Sequence, residues 1–542
     1  MTRDLPALTS HPFDVLVIGA GIYGVTIAWD AAQRGLSVAI IDRGDFGAAT
    51  SFNSLKTVHG GLRSLQRAAF ADMREFIRER RALCRIAPHL VHPLPFIIPT
   101  YRHPMRNRLL MRAVLAVNDL MAFDRNALPD SSKHLPAGRT VSRSECLALN
   151  PAIDPAGVTG GAVWYDCQMY SADRVILSFL LSATRAGAIA ANHVEATGFL
   201  MDGGRVAGVR AVDRLGAQPM EIRARLTVNA AGPWVWSVLQ RLGAPVARRP
   251  HGFSKAINLV MRSAVGSHGL GGLADGRFLF IAPWRDCSMI GTSQDPHEGT
   301  ADDVTVTARD VEGFLAQARR AFPGAKLSTA DVRLVHRGLL PAAPGPGGHE
   351  RLVKHSLVLD HSRNGVQGLL SVLGVRYTTA RATAAHAVDR VQQALGIAPT
   401  PCRTDVTPLA GGDIEHFADY ESRSLAANAT RFSADQIRRL VRCYGTGHAA
   451  LLRLMEQEPA LGTSLSDSCP VTRAEIAHAV RHEVAIHLSD ALIRRTDAGS
   501  AGHPGADAVA AAAQVMASEL GWDSLRMRDE MEAVVRFYRI PG

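Results

Sequence analysis

Residues 13–42 read FDVLVIGAGIYGVTIAWDAAQRGLSVAIID, and this stretch decides the fold. Its first six residues, 13–18, form an apolar run rich in Val and Ile, which is typical of a buried parallel strand. A helical stretch over residues 22–34 leads into a second strand that ends on Asp42. Between the first strand and the helix lies a G-x-G-x-x-G turn, formed by Gly19, Gly21 and Gly24.

Each part of this stretch has a physical role in binding a dinucleotide. The three glycines permit a tight turn, a close approach of the backbone to a pyrophosphate, and close packing of helix against strand. The helix N-terminus offers free N–H groups to the phosphates. Asp42 closes the second strand, where a carboxylate can hold ribose hydroxyls and disfavours a 2′-phosphate. The motif therefore predicts a bound dinucleotide and leaves NAD and FAD both open.

Length and composition indicate a globular protein of two or three domains. The chain has 542 residues, of which 47% are hydrophobic and 20% charged, so large cores can form. Seven cysteines are scattered without a C-x-x-C pair, which argues against a zinc site or a disulfide framework and fits a reducing compartment. We predict no metal site. With no signal peptide and no bilayer-spanning apolar run in the sequence, we expect a cytoplasmic protein.

The net charge of +10 and the pI near 9.5 raise the question of a nucleic-acid partner. No recognisable nucleic-acid-binding module accompanies the charge, so we predict no such partner. Residues 101–123, YRHPMRNRLLMRAVLAVNDLMAF, place arginines ahead of an apolar helical run. This pattern fits peripheral contact with the inner face of the cytoplasmic membrane, and equally fits an ordinary helix with a solvated basic end.

Further along the chain, a second turn of small residues follows an apolar strand at residues 229–232, Asn-Ala-Ala-Gly. Small residues let the backbone approach a ligand closely, and two such turns are more typical of flavoproteins than of NAD enzymes. The glycine-rich loop at 44–61 is long for a structureless connection, which indicates a functional loop. Residues 62–87 are predicted as one arginine-rich helix, and the pattern beyond residue 408 is helical.

Several longer segments carry a family resemblance: IGAGIYG, ATSFNSLKTVHGGLRSL, NAAGPWV and LLSVLGVRYTTAR. They resemble the FAD-dependent (aerobic) glycerol-3-phosphate dehydrogenases, which belong to the superfamily of D-amino-acid oxidase. The resemblance implies an α/β fold with three domains: a Rossmann-type FAD-binding domain (13–90, 151–245 and 350–396), an antiparallel-sheet substrate domain (91–150 and 246–349) and a helical C-terminal cap domain (405–542).

The resemblance also implies FAD as cofactor and a set of positions that contact it. A helix start near the flavin would stabilise negative charge on the reduced ring through its exposed N–H groups. The expected FAD-binding residues are Gly19, Ala20, Gly21, Gly24, Asp42, Arg43, Thr50, Ser51, Lys56, Gly60, Gly61, Val194, Ala231, Gly232, Gly374 and Thr378.

For the chemistry, the resemblance implies oxidation of sn-glycerol 3-phosphate to dihydroxyacetone phosphate by hydride transfer to flavin N5, with electrons passed to quinone. A base must take the hydroxyl proton, and imidazole suits that role near neutral pH. His59 is the candidate, the alternative being a histidine that only hydrogen-bonds the flavin or its loop. Arg63 and Arg376 are expected to grip the substrate anion. Arg337 and Lys255 are further candidates for substrate binding.

The sequence departs from the family at its substrate-binding positions. Leu340 stands where the family has an arginine, Ser64 where it has a tyrosine, and Arg376 where it has a lysine. Losing one charged hydrogen bond costs roughly 1.5–3 kcal/mol, enough to change the preferred substrate.

These departures support an alternative, a paralogue that oxidises a different hydroxy or amino compound on the same scaffold. A non-enzymatic flavin-binding or nucleic-acid-binding protein is disfavoured, because such binding needs neither His59 nor Lys56. The residues leave open whether quinone or oxygen accepts the electrons and whether FAD is covalently bound. They also leave open the assembly state, for which we consider a homodimer.

Overall fold

The computed structural model describes residues 1–243, 252–344, 350–353 and 355–540. Its α-helices are α1 (Leu5–Ser10), α2 (Ile22–Gln33), α3 (Phe70–Ile86), α4 (Arg108–Met121), α5 (Arg143–Leu149), α6 (Ala172–Arg185), α7 (Val235–Gln240), α8 (Ala308–Ala321), α9 (Ala380–Leu395), α10 (Phe417–Asn428), α11 (Ala434–Tyr444), α12 (His448–Gln457), α13 (Arg473–Glu483), α14 (Ala506–Leu520) and α15 (Ser524–Tyr538).

Twenty strands accompany these helices within the described residues. They are β1 (Phe13–Ile18), β2 (Val38–Ile41), β3 (Thr57–Val58), β4 (Val91–Tyr101), β5 (Arg139–Ser142), β6 (Val158–Met169), β7 (Ile189–Ala191), β8 (Val194–Asp202), β9 (Arg205–Asp213), β10 (Pro219–Asn229), β11 (Gly252–Arg262), β12 (Gly269–Ala274), β13 (Arg277–Trp284), β14 (Cys287–His297), β15 (Val332–Pro344), β16 (Glu350–Leu352), β17 (Leu357–Asp360), β18 (Leu369–Leu373), β19 (Ser464–Ser466) and β20 (Cys469–Thr472).

The first sheet is the nucleotide-binding sheet expected from residues 13–42. Its strand order is β17-β18-β10-β1-β2-β7, and β1 pairs in parallel with both β10 and β2. Strands in the middle of a parallel sheet that helices cover are mostly apolar, and β2 is buried at every residue. α2 starts directly after Gly21 and packs against α6 and α9. The predicted fold class is confirmed.

A second, mainly antiparallel sheet has the order β16-β15-β11-β14-β13-β12-β4-β6-β3, with β5 on the edge of β6. It corrects two predicted domain boundaries. β6 pairs with β4 from Val91↔Met169 to Tyr101↔Val158, so residues 158–169 belong to the substrate sheet although we assigned 151–245 to the FAD domain. β16 likewise pairs with β15 and not with the first sheet. The boundary predicted at residues 245 and 246 lies outside the described residues.

The predicted helix over residues 62–87 is wrong at its start. Residues Leu62–Arg67 form a 3-10 turn, and α3 begins only at Phe70. Ala68 between them has a φ of 51°, in the left-handed region, which an α-helix cannot contain. The break separates the cavity-lining segment that carries Arg63 from the buried body of α3.

The C-terminal domain packs α10–α15 with the short β19–β20 hairpin and a π-helical segment, Asp490–Arg495. Buried ion pairs attach it to the rest of the molecule. Arg174 of α6 donates to Glu483 at 2.7 Å, and Arg495 donates to Asp45 at 2.6 Å. Removing one partner of a buried pair leaves an uncompensated charge, so these contacts hold the domain in one position. Among the described residues, no helix is long and apolar enough to cross a membrane.

The Arg174–Glu483 pair predicts acid sensitivity of this domain contact. Burial alone would raise the pKa of Glu483, but Arg174 and His478 lower it from 4.5 to about 2. A carboxyl with a lowered pKa stabilises the fold above its unfolded pKa, and that contribution is lost as pH falls from about 4.5 toward 2. We expect Glu483→Gln to lower the free energy of unfolding by about 3 kcal/mol at pH 6 and by less at pH 3.5. Urea denaturation of the two proteins at each pH measures this difference.

Glu221→Gln is the matched control, since its ion pair with Arg223 is more than half exposed and such pairs contribute little. Equal losses for the two variants at pH 6 would contradict a stabilising role of the buried pair.

Candidate active site

A cavity of about 1570 Å³ lies where the two sheets meet. The turn at the start of α2, the loop over residues 50–67, the second small-residue turn, β15 and the turn after β18 all line it. Ten of the predicted site residues are brought together on its walls: Thr50, Ser51, Lys56, His59, Gly61, Arg63, Gly232, Gly374, Arg376 and Thr378.

The dinucleotide turn has the close packing that its glycines predict. A Cβ on Gly24 would lie 1.8 Å from the carbonyl oxygen of Gly19, and Gly19 itself has a φ of 97°. The Ile22 N–H at the start of α2 donates to Ser51 Oγ at 3.0 Å, which fastens the following loop over the turn. The exposed helix start beside a cavity of this size fits the pyrophosphate of a dinucleotide.

Asp42 ties the same turn to the end of β2. Its Oδ2 accepts the Ala20 N–H at 2.7 Å and its Oδ1 accepts the Gly44 N–H at 2.9 Å. Burial raises the pKa of this carboxyl to about 6. Contact of Asp42 with ribose hydroxyls stays a prediction, because both of its oxygens already accept backbone hydrogen bonds.

Arg43 and Val194 lie at this same end of the first sheet. The Val194 N–H donates to the Asp42 carbonyl at 2.8 Å. The Arg43 guanidinium lies 4.5 Å from the ring centre of Trp234, pairs with Asp302, and lines a smaller cavity of about 740 Å³. Neither residue lines the larger cavity, and their contact with the cofactor stays a prediction.

Tyr23, in the middle of the G-x-G-x-x-G motif, fixes the turn after β18. Its hydroxyl accepts the N–H groups of Val375 and Arg376 and donates to the Arg376 carbonyl at 2.7 Å. A Cβ on Gly374 would lie 1.9 Å from the Tyr23 ring. The glycine is therefore required for the tyrosine to reach the turn, which brings the two predicted FAD-contacting segments together.

The His-Gly-Gly segment is held by a carboxylate on β6. Asp166 Oδ1 accepts the Gly60 N–H at 2.6 Å and a hydrogen bond from Arg80 at 2.6 Å. A Cβ on Gly60 would lie 2.1 Å from the Arg80 guanidinium, so this position needs glycine because the ion pair packs against it. Gly61 follows with a φ of 80° and starts the 3-10 turn that carries Arg63.

The imidazole of His59 faces the other oxygen of this carboxylate. His59 Nδ1 lies 3.7 Å from Asp166 Oδ2, and the His59 side chain is 42% exposed to the cavity. The His59 N–H also donates to Thr378 Oγ at 3.3 Å, which joins this loop to the turn after β18. Burial opposes the charge on Asp166, but His59 and Arg80 hold its pKa below the ordinary value. An ionised carboxylate therefore lies beside the imidazole of His59.

Lys56 is a second buried basic group on the cavity wall. Its ammonium donates to the Phe52 carbonyl, lies 3.9 Å from Asp173 and sits above the Phe52 ring. Burial lowers its pKa to about 8, although Asp173 favours the charged form. Proton exchange near neutral pH is therefore within the range of this amine.

The two predicted anion-binding arginines differ in how far they are already neutralised. Arg376 lies over the Phe76 ring and 3.7 Å from Asp72. Arg63 is exposed to the cavity beside Phe278, and no ion-pair partner for it occurs in the part of the chain that the structure describes. A cation without a carboxylate partner is available to a ligand anion.

The other two predicted substrate contacts point away from the cavity. Lys255 pairs with Asp310 at 3.0 Å, and the cavity is lined instead by its neighbours Ser254 and Ala256. Arg337 pairs in register with the buried Ile257, while Gly338 and Leu340 face the cavity. Since successive strand residues face opposite sides, the predictions for Lys255 and Arg337 are not supported by the geometry. Leu340, which stands where the resemblance implies a substrate-binding arginine, does line the cavity.

Sequence reasoning missed Asp166, Tyr23 and Asn258. Asn258 lines the cavity and accepts the Thr292 hydroxyl at 2.7 Å. The available signal was an acid or amide inside an otherwise apolar strand, since buried polar groups need partners. Asp166 lies in such a strand, between Tyr165 and Cys167.

Comparison with protein families decides the class of enzyme. Residues 14–390 match the model of FAD dependent oxidoreductases (DAO), and residues 402–527 match the C-terminal domain of alpha-glycerophosphate oxidase. The chain belongs to the FAD-dependent oxidoreductases. The protein is therefore an enzyme with FAD as its cofactor, and the cavity between the two sheets provides the groups that fit it.

Individual relatives cover almost the whole chain. It is 31% identical to the glycerol-3-phosphate dehydrogenase of Synechocystis sp. over 96% of this chain and 95% of the relative. It is 30% identical to glycerol-3-phosphate dehydrogenase 2 of Mycobacterium tuberculosis, over 95% of this chain and 86% of that relative. The crystal structure of the glycerol-3-phosphate dehydrogenase from Bacillus halodurans with FAD has the same fold, with a TM-score of 0.77 at 24% identity over 99% and 96% of the two chains.

The contacts of Asp166 predict a selective effect of removing its charge. We expect Asp166→Asn to slow flavin reduction by substrate at least about tenfold, because a small displacement of a positioned catalytic group has a large kinetic effect. Stopped-flow absorbance of the flavin measures this rate. Asp154→Asn is the matched control, since Asp154 lines the same cavity and accepts the Ala156 N–H of its own loop at 3.0 Å. Equal rates for the two variants would exclude a positioning role for Asp166.

Proposed function

We propose that this enzyme oxidises sn-glycerol 3-phosphate to dihydroxyacetone phosphate and passes the electrons to quinone. The observation that carries the proposal is Arg63, which lines the same cavity as the His59–Asp166 pair and has no ion-pair partner among the described residues. A substrate with one phosphate and one secondary hydroxyl places its anion on the arginine and its hydroxyl at the imidazole. The names of relatives at 30–31% identity support the same substrate.

In this proposal the protein's own groups orient the substrate and accept its proton. FAD, when bound, supplies the two-electron acceptor. His59 takes the hydroxyl proton. Asp166, whose Oδ2 lies 3.7 Å from His59 Nδ1, compensates the positive charge that the imidazole gains. Lys56 and Asp173 form a second buried proton-exchanging pair below the same loop.

The anion is held from the loop side of the cavity and not from the sheet. Arg63 lies on the 3-10 turn and Arg376 on the turn after β18, whereas β15 presents the apolar Leu340 to the cavity. A guanidinium forms two parallel hydrogen bonds with a phosphate, which fixes orientation as well as position.

Anaerobic titration of the purified holoenzyme with sn-glycerol 3-phosphate tests this directly, by bleaching of the flavin absorbance. We expect bleaching with wild type and an increase in apparent Kd of at least about tenfold for Arg63→Met, the equivalent of one charged hydrogen bond. Leu340→Arg should tighten binding, because it adds a cation to the sheet wall, and Leu340→Met is its size-matched control.

A flavin that dithionite reduces and sn-glycerol 3-phosphate does not would overturn the substrate assignment. Leu340 favours the second candidate in that case, oxidation of an uncharged hydroxy or amino compound. The same titration with glycerol and with neutral amino compounds then identifies the class of substrate.

Electron delivery to quinone is supported by an apolar surface at the cavity mouth. α4 exposes Leu109 (78%), Leu120 (74%) and Val117 (41%) on one side, while Met111 and Val114 line the cavity. Exposed arginines, among them Arg108 and Arg112, accompany this stripe. A helix with an apolar stripe and basic residues lies at the surface of an anionic membrane, where an apolar electron acceptor dissolves.

Vesicle sedimentation tests the membrane contact. We expect wild type to bind phosphatidylcholine vesicles that contain phosphatidylglycerol, and the double variant Leu109→Ser/Leu120→Ser to bind at least about tenfold more weakly, because it loses two apolar side chains from the interface. Leu525→Ser is the control, since Leu525 is 58% exposed on the C-terminal domain. Equal binding by all three proteins would contradict contact through α4.

A further inference from the structure

Two buried thiols lie against each other behind the active site. Cys84 of α3 and Cys167 of β6 have their sulfur atoms 3.5 Å apart, and both side chains are almost completely buried. The structure records both as free cysteines. Disulfide formation needs the sulfurs to close to about 2.05 Å, so the two sulfur atoms must approach by about 1.5 Å to join the helix to the strand.

A buried ammonium group accompanies this thiol pair. Lys133 is 1% exposed, lies 4.3 Å from the ring centre of Phe417 and bonds His92 Nδ1 at 3.0 Å. The hydrogen bond from Cys167, with smaller effects from the charges of Lys133 and Arg80, lowers the pKa of Cys84 against the opposing effect of burial. Cations close to a cysteine favour the thiolate, which is the reactive form.

The same helix and strand carry the contact that positions His59. Arg80 lies one helical turn before Cys84, and Asp166 directly precedes Cys167. The Arg80–Asp166 ion pair and the Cys84–Cys167 thiol contact therefore join α3 to β6 side by side. Cys167 is also in register with Val58, the residue before His59.

We propose that Cys84 and Cys167 form a redox-sensitive pair, whose oxidation to a disulfide by a peroxide displaces Asp166 and His59 and slows turnover. This inference concerns a covalent modification of the enzyme and does not depend on which substrate it oxidises.

The reaction proceeds in two balanced steps. The Cys84 thiolate attacks one oxygen of hydrogen peroxide, which gives a sulfenic acid at Cys84 and hydroxide. The Cys167 thiol then attacks the Cys84 sulfur, which forms the S–S bond and, with the thiol proton, releases the sulfenic oxygen as water. Two thiols lose two electrons and peroxide is reduced to two molecules of water.

Peptide mapping of the holoenzyme tests the modification. The protein is treated with hydrogen peroxide, denatured, alkylated and digested, and disulfide-linked peptides are identified by mass spectrometry. We expect a linked Cys84–Cys167 peptide, while Cys146 remains alkylated, because burial raises the pKa of that thiol to about 11 and no thiol partner for it occurs among the described residues. Alkylation of both Cys84 and Cys167 after peroxide treatment would overturn the proposal.

Turnover measured before and after oxidation tests its consequence. We expect oxidised wild type to lose at least about tenfold in kcat, as for a displaced catalytic group, and dithiothreitol to restore it. Cys84→Ser and Cys167→Ser should keep their activity through the same treatment, with Cys146→Ser losing activity like wild type. Unchanged kcat in the disulfide-linked enzyme, or equal inactivation of Cys84→Ser, would contradict the regulatory effect. The peptide mapping uses no substrate, so its result is independent of the proposed substrate.

Discussion

The carboxylate of Asp166 is the constraint on which the arrangement of the active site depends. It accepts hydrogen bonds from the Gly60 N–H and from Arg80, and it faces His59. A buried carboxylate is tolerated only when it is paired and hydrogen-bonded, so these groups cannot move independently of one another. Because Asp166 belongs to the second sheet and His59 lies near the end of the glycine-rich loop at 44–61, this one side chain ties the His59 segment to the second sheet.

A second buried carboxylate, that of Asp45, holds the start of the glycine-rich loop at 44–61 in place. Asp45 lies three residues after Asp42 and accepts hydrogen bonds from Arg494 and Arg495 of the C-terminal domain. Burial opposes the charge on Asp45, but the two guanidinium groups hold its pKa far below the ordinary value. The C-terminal domain therefore anchors the segment that leads to Thr50 and Ser51. This explains why a helical domain outside the cavity belongs to the same functional unit.

The sequence was informative wherever structure depends on local pattern. The β1–α2–β2 unit and the second small-residue turn follow from periodicity and turn chemistry, and the structure has them. The membership of β6 in the second sheet depends on pairing with β4, 57 to 78 residues earlier, which no local pattern contains. For Lys255 and Arg337 the sequence lacks a different signal: successive residues of a strand face opposite sides, so chemical type alone does not determine orientation, and their contact with a substrate stays a prediction.

The alternation of side chains along a β-strand also bears on how this enzyme can recognise an anion. On β15, Gly338 and Leu340 face the cavity, and the opposite side of the strand carries Arg337. Arg337 is not among the residues that line the cavity within the described part of the chain, so the geometry gives no support for its replacing the arginine that the resemblance implies at position 340. Arg63 and Arg376, the arginines proposed to hold an anion, lie on turns and not on the sheet. The positions predicted to contact the cofactor depend on close backbone packing, as at Gly19, Gly24 and Gly374. The β15 side of the cavity depends on single side chains such as Leu340. A substitution at position 340 can therefore change the β15 side and leave the dinucleotide turn intact.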